Sequence, residues 1–526
     1  MKKILFIINK TSDNNYKACI DAINYLKKPL VYSVGFASYT AGKPLLTSDV
    51  YLAVQEQQNP DISIIMDDTV LVVNENLLRD IVKIFKSDPA IGVIGIKGAQ
   101  HMPDSGIIGE ASSIYGGLHE MNCQGEVLAK KYQNPHERYV QVETANSTMV
   151  AVRGYIPLWK DIGNRCIGEV ISVAAAIQGY KVVVPKDSHY WCLSTIPESV
   201  PTSTELGIIK AKHRFKNILL RQDHPILTIG IPTYNRSRYF RKCISNLYRH
   251  VGDMPWIEVF VSNNESTDDT EEIASQYLHH KNFRYYKHPI NIGGDKNFSY
   301  IYENAKGDFV VACGDDDYYS SEAILNLLET ICMYPQATII ELVWTANHTS
   351  AAMLPGKGID DFLVKCTNLY TCISCIVLNK RKYMAVDKKD RFSHTHLNQC
   401  YVQLEMVRKD SLFVVLQGDN FLSESGEATQ GRQFKPNERA PFCDIFVREY
   451  YPILDYFLDK GLSRKAYEEE KLLNLRKILY WLDVTKLLGD KIQWRIDEDL
   501  EKLIEEFYGY EPYYDELKQK IHDILA

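Results

Sequence analysis

Three consecutive carboxylates, Asp315, Asp316 and Asp317, follow an apolar run from Phe309 to Cys313 and precede Tyr318 and Tyr319. The run has the character of a buried strand, so three like charges fall where hydration is poor. A hard divalent cation, Mg²⁺ or Mn²⁺, would relieve both costs, because it takes carboxylate oxygens and shares its other positions with phosphates and water. Residues two apart lie on one side of an extended chain, so Asp315 and Asp317 are expected to reach one ion. The competing reading is a solvated acidic turn, and the segment alone does not decide between them. Two other polar stretches offer complementary chemistry. In Pro232-Thr-Tyr-Asn-Arg236 the proline sets the turn, Thr233 and Asn235 supply hydrogen bonds, and Arg236 is a cation for phosphate. Asn263 and Asn264 carry amides able to pair with the edge of a nucleobase. The Ser266-Thr267-Asp268 run after them caps the next helix.

These loops need a scaffold, and the apolar periodicity supplies one twice. Lys3–Asn9, Leu30–Ala37, Ile62–Met66 and Ile91–Ile96 read as strands, with helices at 15–26, 49–57 and 75–85 between them. Tyr139–Val152 reads as one more strand with Glu143, Asn146 and Ser147 set in it, followed by a helix at 168–178 and the strand in Gly179–Pro185. Alternation of this kind predicts an α/β domain with a mainly parallel sheet. A Pro/Ser/Thr break at 199–203 marks a boundary, and the basic stretch 210–221 reads as a connecting helix with a solvated face. From Ile226 the pattern starts again, with strands at 227–231, 257–262, 283–286 and 309–313. Each copy ends a buried strand in adjacent aspartates, here Asp67 and Asp68, there Asp315 to Asp317, which suggests a divergent internal duplication. Beyond Pro441 the chain turns rich in Leu, Tyr, Glu and Lys at helical spacing, predicting three or four packed helices. In an open α/β sheet the ligand lies beyond the carboxyl ends of the strands, so the loops at 232–236, 263–270 and 315–318 are expected to converge.

Composition narrows the class. A chain of 526 residues with 45% hydrophobic and 24% charged content is an ordinary globular protein of about two to four domains. A net charge of −7 gives no reason to expect nucleic acid as a partner. The 12 cysteines lack the paired sets of a zinc ribbon, and several, such as Cys313, Cys372 and Cys375, sit in apolar runs, which suits a reducing cytoplasm. The opening Met-Lys-Lys-Ile-Leu-Phe-Ile-Ile is cut short by Asn9 and Lys10 and reads as a first strand. No apolar stretch approaches the roughly 20 residues that span a bilayer, so at most peripheral membrane contact is expected.

The second pattern, about 226–435, resembles the family 2 glycosyltransferases of GT-A fold, in particular their abequosyltransferase-like branch. The matching segments are Ile231-Pro-Thr-Tyr-Asn-Arg236, Val261-Ser-Asn-Asn-Glu-Ser-Thr-Asp-Asp-Thr270, Asn291-Ile-Gly-Gly294 and Gly314-Asp-Asp-Asp317. The resemblance implies inverting transfer of a sugar from a nucleotide-diphosphate donor, with Asp315 and Asp317 as the acid pair holding Mn²⁺ or Mg²⁺. It also implies donor contacts from Pro232, Thr233, Asn235, Arg236, Asn263, Asn264, Gly294, Asp295 and Asp316, with a UDP-sugar as the expected donor. Asn263 stands where the family usually has Asp, which leaves the choice of nucleotide open. An inverting transfer needs a base. No acid occupies the family position, leaving Asp390, His394, His396 and Glu405 as candidates beside plain surface or core roles. The polar loop Ser423–Arg432 reads either as a lid over donor phosphates or as a surface loop.

The first pattern resembles a glycosyltransferase-like group related to a streptomycin-biosynthesis protein, through Ile64-Ile-Met-Asp-Asp68, Ile91-Gly-Val-Ile-Gly95 and Gly179-Tyr-Lys-Val-Val-Val-Pro185. Asp68 fits the second metal-binding acid with Asp67 beside it, and Met66 stands in the place of the first. Glu169 falls at the family's catalytic-base position and His189 where a third metal ligand can occur. The alternatives are a favourable first-turn charge for Glu169 and a surface role for His189.

The expectation is therefore two tandem GT-A domains (Rossmann-like, nucleotide-diphospho-sugar transferase), at 1–205 and 226–435, a linker helix at 206–225 and a helical region at 436–526. They would form a metal-dependent glycosyltransferase acting on a glycan or glycoprotein acceptor, cytoplasmic or at the inner face of the membrane, with a homodimer through the C-terminal helices as one arrangement. Two alternatives are an inactive first domain that binds acceptor, and a non-catalytic carbohydrate-binding scaffold. A sugar nucleotidyltransferase would need a glycine-rich basic loop after the first strand, and neither Asn9-Lys-Thr nor Pro232-Thr-Tyr provides it.

Overall fold

The first strand, Lys2–Asn9, is apolar without alternation from Ile4 to Ile8, and all five of those residues are buried. Such a run belongs between parallel neighbours with both faces covered. In the computed structural model it pairs in parallel with Tyr32–Tyr39 on one side and Ile62–Asp67 on the other. The structure describes residues 1–526 apart from 41–45, 123, 198–199, 345–350, 367–368, 410–411, 419–438, 493 and 526. The loop Ser423–Arg432 thus lies outside the described residues. The chain divides into two compact units, Met1–Asp223 and His224–Ala526.

The first unit is built on a seven-stranded sheet in the order Tyr32–Tyr39, Lys2–Asn9, Ile62–Asp67, Met149–Arg153, Ile91–Gly95, Lys181–Pro185, Tyr139–Val142. Met149–Arg153 runs antiparallel to both of its neighbours. The segment expected as one strand from Tyr139 to Val152 is in fact three, Tyr139–Val142, Thr144–Ala145 and Met149–Arg153. Thr144–Ala145 leaves the main sheet to pair with Lys97–Ala99 in a second sheet, so residues 146–148 form a polar corner instead of a strand interior. The second sheet also holds Ile114–Met121, which the sequence pattern does not reveal. Gly116 and Gly117 adopt φ of 86° and 143° there, values that favour glycine.

The helix Ser203–Leu219 is not a solvated linker. A capping box between Thr202 and Glu205 starts it. His213 and Lys216 are buried, and Lys216 Nζ lies 2.5 Å from Glu143 Oε1. Of the basic residues at 210–221, His213 and Lys216 face inward toward the half-buried Glu143, while Lys210, Arg214 and Arg221 stay exposed.

The second unit has an eight-stranded sheet in the order Phe283–Lys287, Ile257–Asn263, Leu227–Thr233, Phe309–Ala312, Ile376–Asn379, Ile339–Trp344, Leu412–Gly418, Ala352–Lys357. Its first four strands are parallel, and Ile376–Asn379 is antiparallel to both of its neighbours. The same order and directions occur in the first unit: second strand, first strand, acid-ending strand, one antiparallel strand, then three more, of which the first two are parallel to each other and the last antiparallel. The duplication inferred from the acidic strand ends is therefore present in the topology as well. The C-terminal helices, including Tyr451–Leu458, Arg464–Leu488 and Leu500–Tyr508, share one apolar core with this sheet, in which Tyr451, Phe457, Ile478 and Leu503 join Phe362, Tyr401 and Phe413. Among the described residues no helix is long and apolar enough to cross a membrane.

Candidate active site

In the second unit the chain fills the sheet on one side of Leu227–Thr233, then crosses back to place Phe309–Ala312 on its other side. Strand order reverses between these two strands, and the carboxyl ends of strands at such a point form a ligand crevice. Thr233 ends one strand, and its Oγ1 donates to Asp315 Oδ2 at 2.8 Å, just past the end of the other. The other Asp315 oxygen lies 2.8 Å from Arg236 Nε, while the guanidinium also pairs with Asp316. Asp317 accepts from the Ser374 hydroxyl. Burial pushes Asp315 up to about 6 despite Arg236 and Thr233, and it raises Asp317 as well.

Arg236 and Thr233 engage both oxygens of Asp315, so its carboxylate is held by protein partners. Among the described residues no three His, Cys, Asp or Glu side chains come together as a metal-holding group. The residues present nevertheless fit a hard cation held by few protein ligands. Asp317 is only partly exposed and keeps a second carboxylate oxygen without a hydrogen-bond partner among the described residues. Mg²⁺-like ions bind through one or two carboxylates plus substrate phosphates.

The neighbouring loops are fastened to each other by the polar side chains read as donor contacts. Pro232 lies within the strand, opposite Ser262, and does not set the turn. The turn is made by Asn235 at φ 52°, whose Oδ1 accepts from Thr267 N at 2.8 Å. Asn263 donates to Tyr285 Oη at 2.8 Å and accepts from Ser266 N at 2.8 Å, so both ends of its amide are engaged. Asn264 is likewise held by Asn291 Oδ1 and Ile292 N, each at 2.9 Å. These bonds tie the two amides into the walls of the crevice. Gly294 and Asp295 open the helix Gly294–Asn304.

The candidate bases separate clearly. Glu405 lies late in the helix Asn398–Lys409, buried, with Oε2 3.0 Å from Arg408 Nε, so its charge is matched within its own helix. The first turn of that helix has no acid. His396, just before it, has its backbone N 2.7 Å and its Nδ1 3.0 Å from Glu449 Oε2. A carboxylate on Nδ1 fixes the tautomer and leaves Nε2 as the open nitrogen. Asp295 lies within electrostatic range of His396 and lines a small cavity with Ile373, Asn398 and Gln399. Ile373 adjoins Ser374, the partner of Asp317.

In the first unit the equivalent crossover puts Asn9 against Asp67, with Asn9 Nδ2 donating to Asp67 Oδ1 at 2.7 Å. Asn164 Nδ2 reaches both Asp67 oxygens, at 3.2 and 3.1 Å. Asp68 is buried and turned away, accepting from Thr11 N at 2.8 Å, Thr11 Oγ1 at 2.6 Å and Ser12 N at 3.2 Å. Its carboxylate organises the turn into the helix Asp13–Asn24 and is not presented to an ion. His189 is buried against Tyr190, with ring centroids 3.9 Å apart, and is not brought to Asp67 and Asp68. Glu169 does reach a cavity with Asp67, where its Oε2 accepts from Ser147 Oγ at 2.6 Å. Gly168 lets the helix Ile167–Ile177 come this close, since a Cβ there would collide with the Asn146 carbonyl.

Sequence reasoning missed Ser374, Glu449, Asn164 and Lys97. No local pattern marks them, because their partners are remote: Ser374 and Asp317 are 57 positions apart, Glu449 and His396 53.

Two family profiles match the chain. The Glycosyltransferase like family covers residues 5–205 and Glycosyl transferase family 2 covers residues 228–384, together about two thirds of the chain. The chain is a tandem glycosyltransferase whose second domain belongs to family 2. Among curated relatives it is similar to the abequosyltransferase of Salmonella typhimurium, 23% identical over 285 residues, covering 48% of this chain and 82% of that protein. It is also similar to the poly(ribitol-phosphate) β-N-acetylglucosaminyltransferase TarS of Staphylococcus aureus, 30% identical over 98 residues, covering 18% of this chain and 17% of that one. Among solved structures, S. aureus TarS 1–349 in complex with UDP-GlcNAc aligns over 57% of this chain and 88% of its own, with 15% identity and a TM-score of 0.38.

Proposed function

We propose that the second domain transfers a sugar, with inversion, from a nucleotide-diphosphate donor to a hydroxyl of a glycan or glycoprotein, with Mn²⁺ or Mg²⁺ as cofactor. The observation that carries this reading is the acidic turn at the crossover of the sheet, where Asp317 offers an open carboxylate oxygen beside Asp316 and Arg236. Asp317 would hold the cation, and when bound the cation neutralises the leaving diphosphate. Arg236 adds positive charge on the same side and is itself held by Asp315. Thr233, Asn235, Asn263 and Asn264 keep the crevice in shape through the bonds described above, which suits a UDP-sugar bound by backbone groups and loop edges. His396, oriented by Glu449, is the base that accepts the acceptor proton on Nε2. The family 2 match and the similarity to an abequosyltransferase support this reading.

For domain limits we propose 1–205 and 226–435 for the two transferase folds, with 206–225 as the connecting helix and 436–526 as a helical extension. A cytoplasmic enzyme of surface-glycan or protein glycosylation, acting at the inner face of a membrane, is the setting this reading favours. The test is donor hydrolysis by the whole chain against a panel of nucleotide sugars with Mn²⁺. Asp317→Ala is expected to lower Mn²⁺-dependent hydrolysis by about 100-fold or more. Full activity in that variant would overturn the metal assignment.

A further inference from the structure

Ser374, the partner of Asp317, sits between two cysteines in Cys372-Ile-Ser-Cys375. The segment closes into a tight turn. Cys372 caps the short 3₁₀ helix Ile373–Cys375, and Cys375 N donates to Cys372 O at 3.0 Å. A turn of this kind keeps its first and fourth Cα atoms within about 7 Å, inside the limit beyond which two cysteines cannot be bridged. The side chains also meet, with the Cys375 thiol hydrogen-bonded to Cys372 and the N–H groups of Ser374 and Cys375 reaching the same sulfur. These hydrogen bonds hold the Cys372 thiol below its ordinary range, against burial and the nearby Asp317 charge, whereas Cys375 is pushed well up. Cys372 is partly exposed and Cys375 is buried, the arrangement of an attacking and a resolving thiol. A second pair lies under the same turn, with Cys243 Sγ 3.8 Å and Cys313 Sγ 3.4 Å from Gly314 O, but both of these are buried away from any reagent.

Three hydrogen bonds couple this dithiol to the acidic turn. Ser374 Oγ donates to Asp317 and accepts from Gly314 N at 2.9 Å, and Tyr319 Oη donates to Ser374 O at 2.6 Å. We infer that Cys372 and Cys375 form a thiol–disulfide modification site that reacts with small disulfides and controls the turn carrying Asp317. Cys372, as thiolate, attacks one sulfur of the small disulfide, forming a mixed disulfide and releasing one thiol, which takes up a proton. Cys375 then gives up its proton, and its sulfur attacks Cys372 Sγ, forming the internal disulfide and releasing the second thiol. The two cysteines lose two protons and two electrons, and the reagent gains both. Bond formation brings the sulfurs from hydrogen-bond contact to about 2.05 Å, so the Ile373–Ser374 arch tightens and Ser374 shifts against Gly314 and Asp317. In a reducing compartment the resting form is the dithiol, and disulfides that do form there are usually transient and sensing. The thiol chemistry stands on its own, while its effect on transfer rests on the reading of Asp317 as the metal-holding carboxylate.

The experiment treats the full reduced chain with glutathione disulfide and reads peptide mass, hydrogen exchange and Mn²⁺-dependent donor hydrolysis. A Cys372–Cys375 link is expected in the native chain. Cys375→Ser is expected to stop with glutathione on Cys372, and Cys372→Ser to leave Cys375 unmodified. Linking is expected to speed exchange at Gly314, whose N–H is held by Ser374, by about 10-fold. Hydrolysis is expected to fall by about 10-fold or more and to return with dithiothreitol, while Cys372→Ser keeps its hydrolysis under the same treatment. Absence of any link, or a link between Cys243 and Cys313 in its place, overturns the inference. So does a Cys372–Cys375 link that leaves Gly314 exchange unchanged, or that leaves hydrolysis unchanged in a chain whose hydrolysis needs Asp317. Failure of the metal reading appears separately, as hydrolysis that survives Asp317→Ala while the link and the exchange response remain.

Discussion

Asp315, Asp316 and Asp317 look equivalent in sequence, yet the fold gives each a different neighbour. Asp315 lies under Thr233 and Arg236, Asp316 shares the same guanidinium, and Asp317 faces Ser374. Arg236 is therefore the internal counter-charge of the turn. Removing it leaves a buried carboxylate without its cation, a change worth about 1–3 kcal/mol. Arg236→Met is expected to lower the thermal midpoint in chelator, and added Mn²⁺ to restore part of the loss by binding the folded state. Differential scanning calorimetry with and without Mn²⁺ measures both. A midpoint unchanged in chelator would mean that the guanidinium does not stabilise the turn.

At the scale of elements, the helix Arg464–Leu488 carries Glu470 into the apolar core, where its Oε1 accepts from Tyr450 Oη at 2.6 Å and Tyr370 Oη at 3.3 Å. Burial pushes Glu470 up to about 8, against the opposing effects of Tyr450 and Lys477. The folded protein therefore keeps a proton that the unfolded chain releases near its ordinary 4.5. Between those two values the folded state binds more protons, so this group makes stability fall as pH rises, by at most about 1.4 kcal/mol per pH unit. Glu470→Gln retains an acceptor and removes the titration. Its stability advantage over the native chain should grow from about pH 5 to about pH 8 and then level off, as read by urea unfolding. A constant difference between the two would show that Glu470 is ionised in the core. Gly168 makes the same point about close packing. A Cβ there meets the Asn146 backbone, so Gly168→Ala is expected to cost about 1–3 kcal/mol and to separate Glu169 from Ser147.

At the scale of the whole molecule, one sheet topology occurs twice with different chemistry at the crossover. In the second copy Asp315 and Asp316 share Arg236 while Asp317 meets Ser374, whereas in the first Asp67 meets Asn9 and Asn164 and Asp68 the Thr11–Ser12 turn. The α/β alternation, the boundary near residue 200 and the repeat of aspartates after a buried strand were all legible, because they depend on local apolar period and on residues adjacent in the chain. The break of Tyr139–Val152 into three strands was not, because Thr144–Ala145 answers to Lys97–Ala99 in another sheet. Nor was the inward face of Ser203–Leu219, which Glu143 attracts.

The sequence by itself determined that this chain holds two α/β domains of glycosyltransferase type and that a buried strand in each runs into adjacent aspartates. Only the tertiary structure decided what those acids do. A carboxylate's role depends on which donor or cation reaches it first, and those partners come from far along the chain: Arg236 for Asp315, Thr11 for Asp68, Ser374 for Asp317. Side-chain electrostatics acts over a few ångströms in space, which spacing along a sequence does not encode.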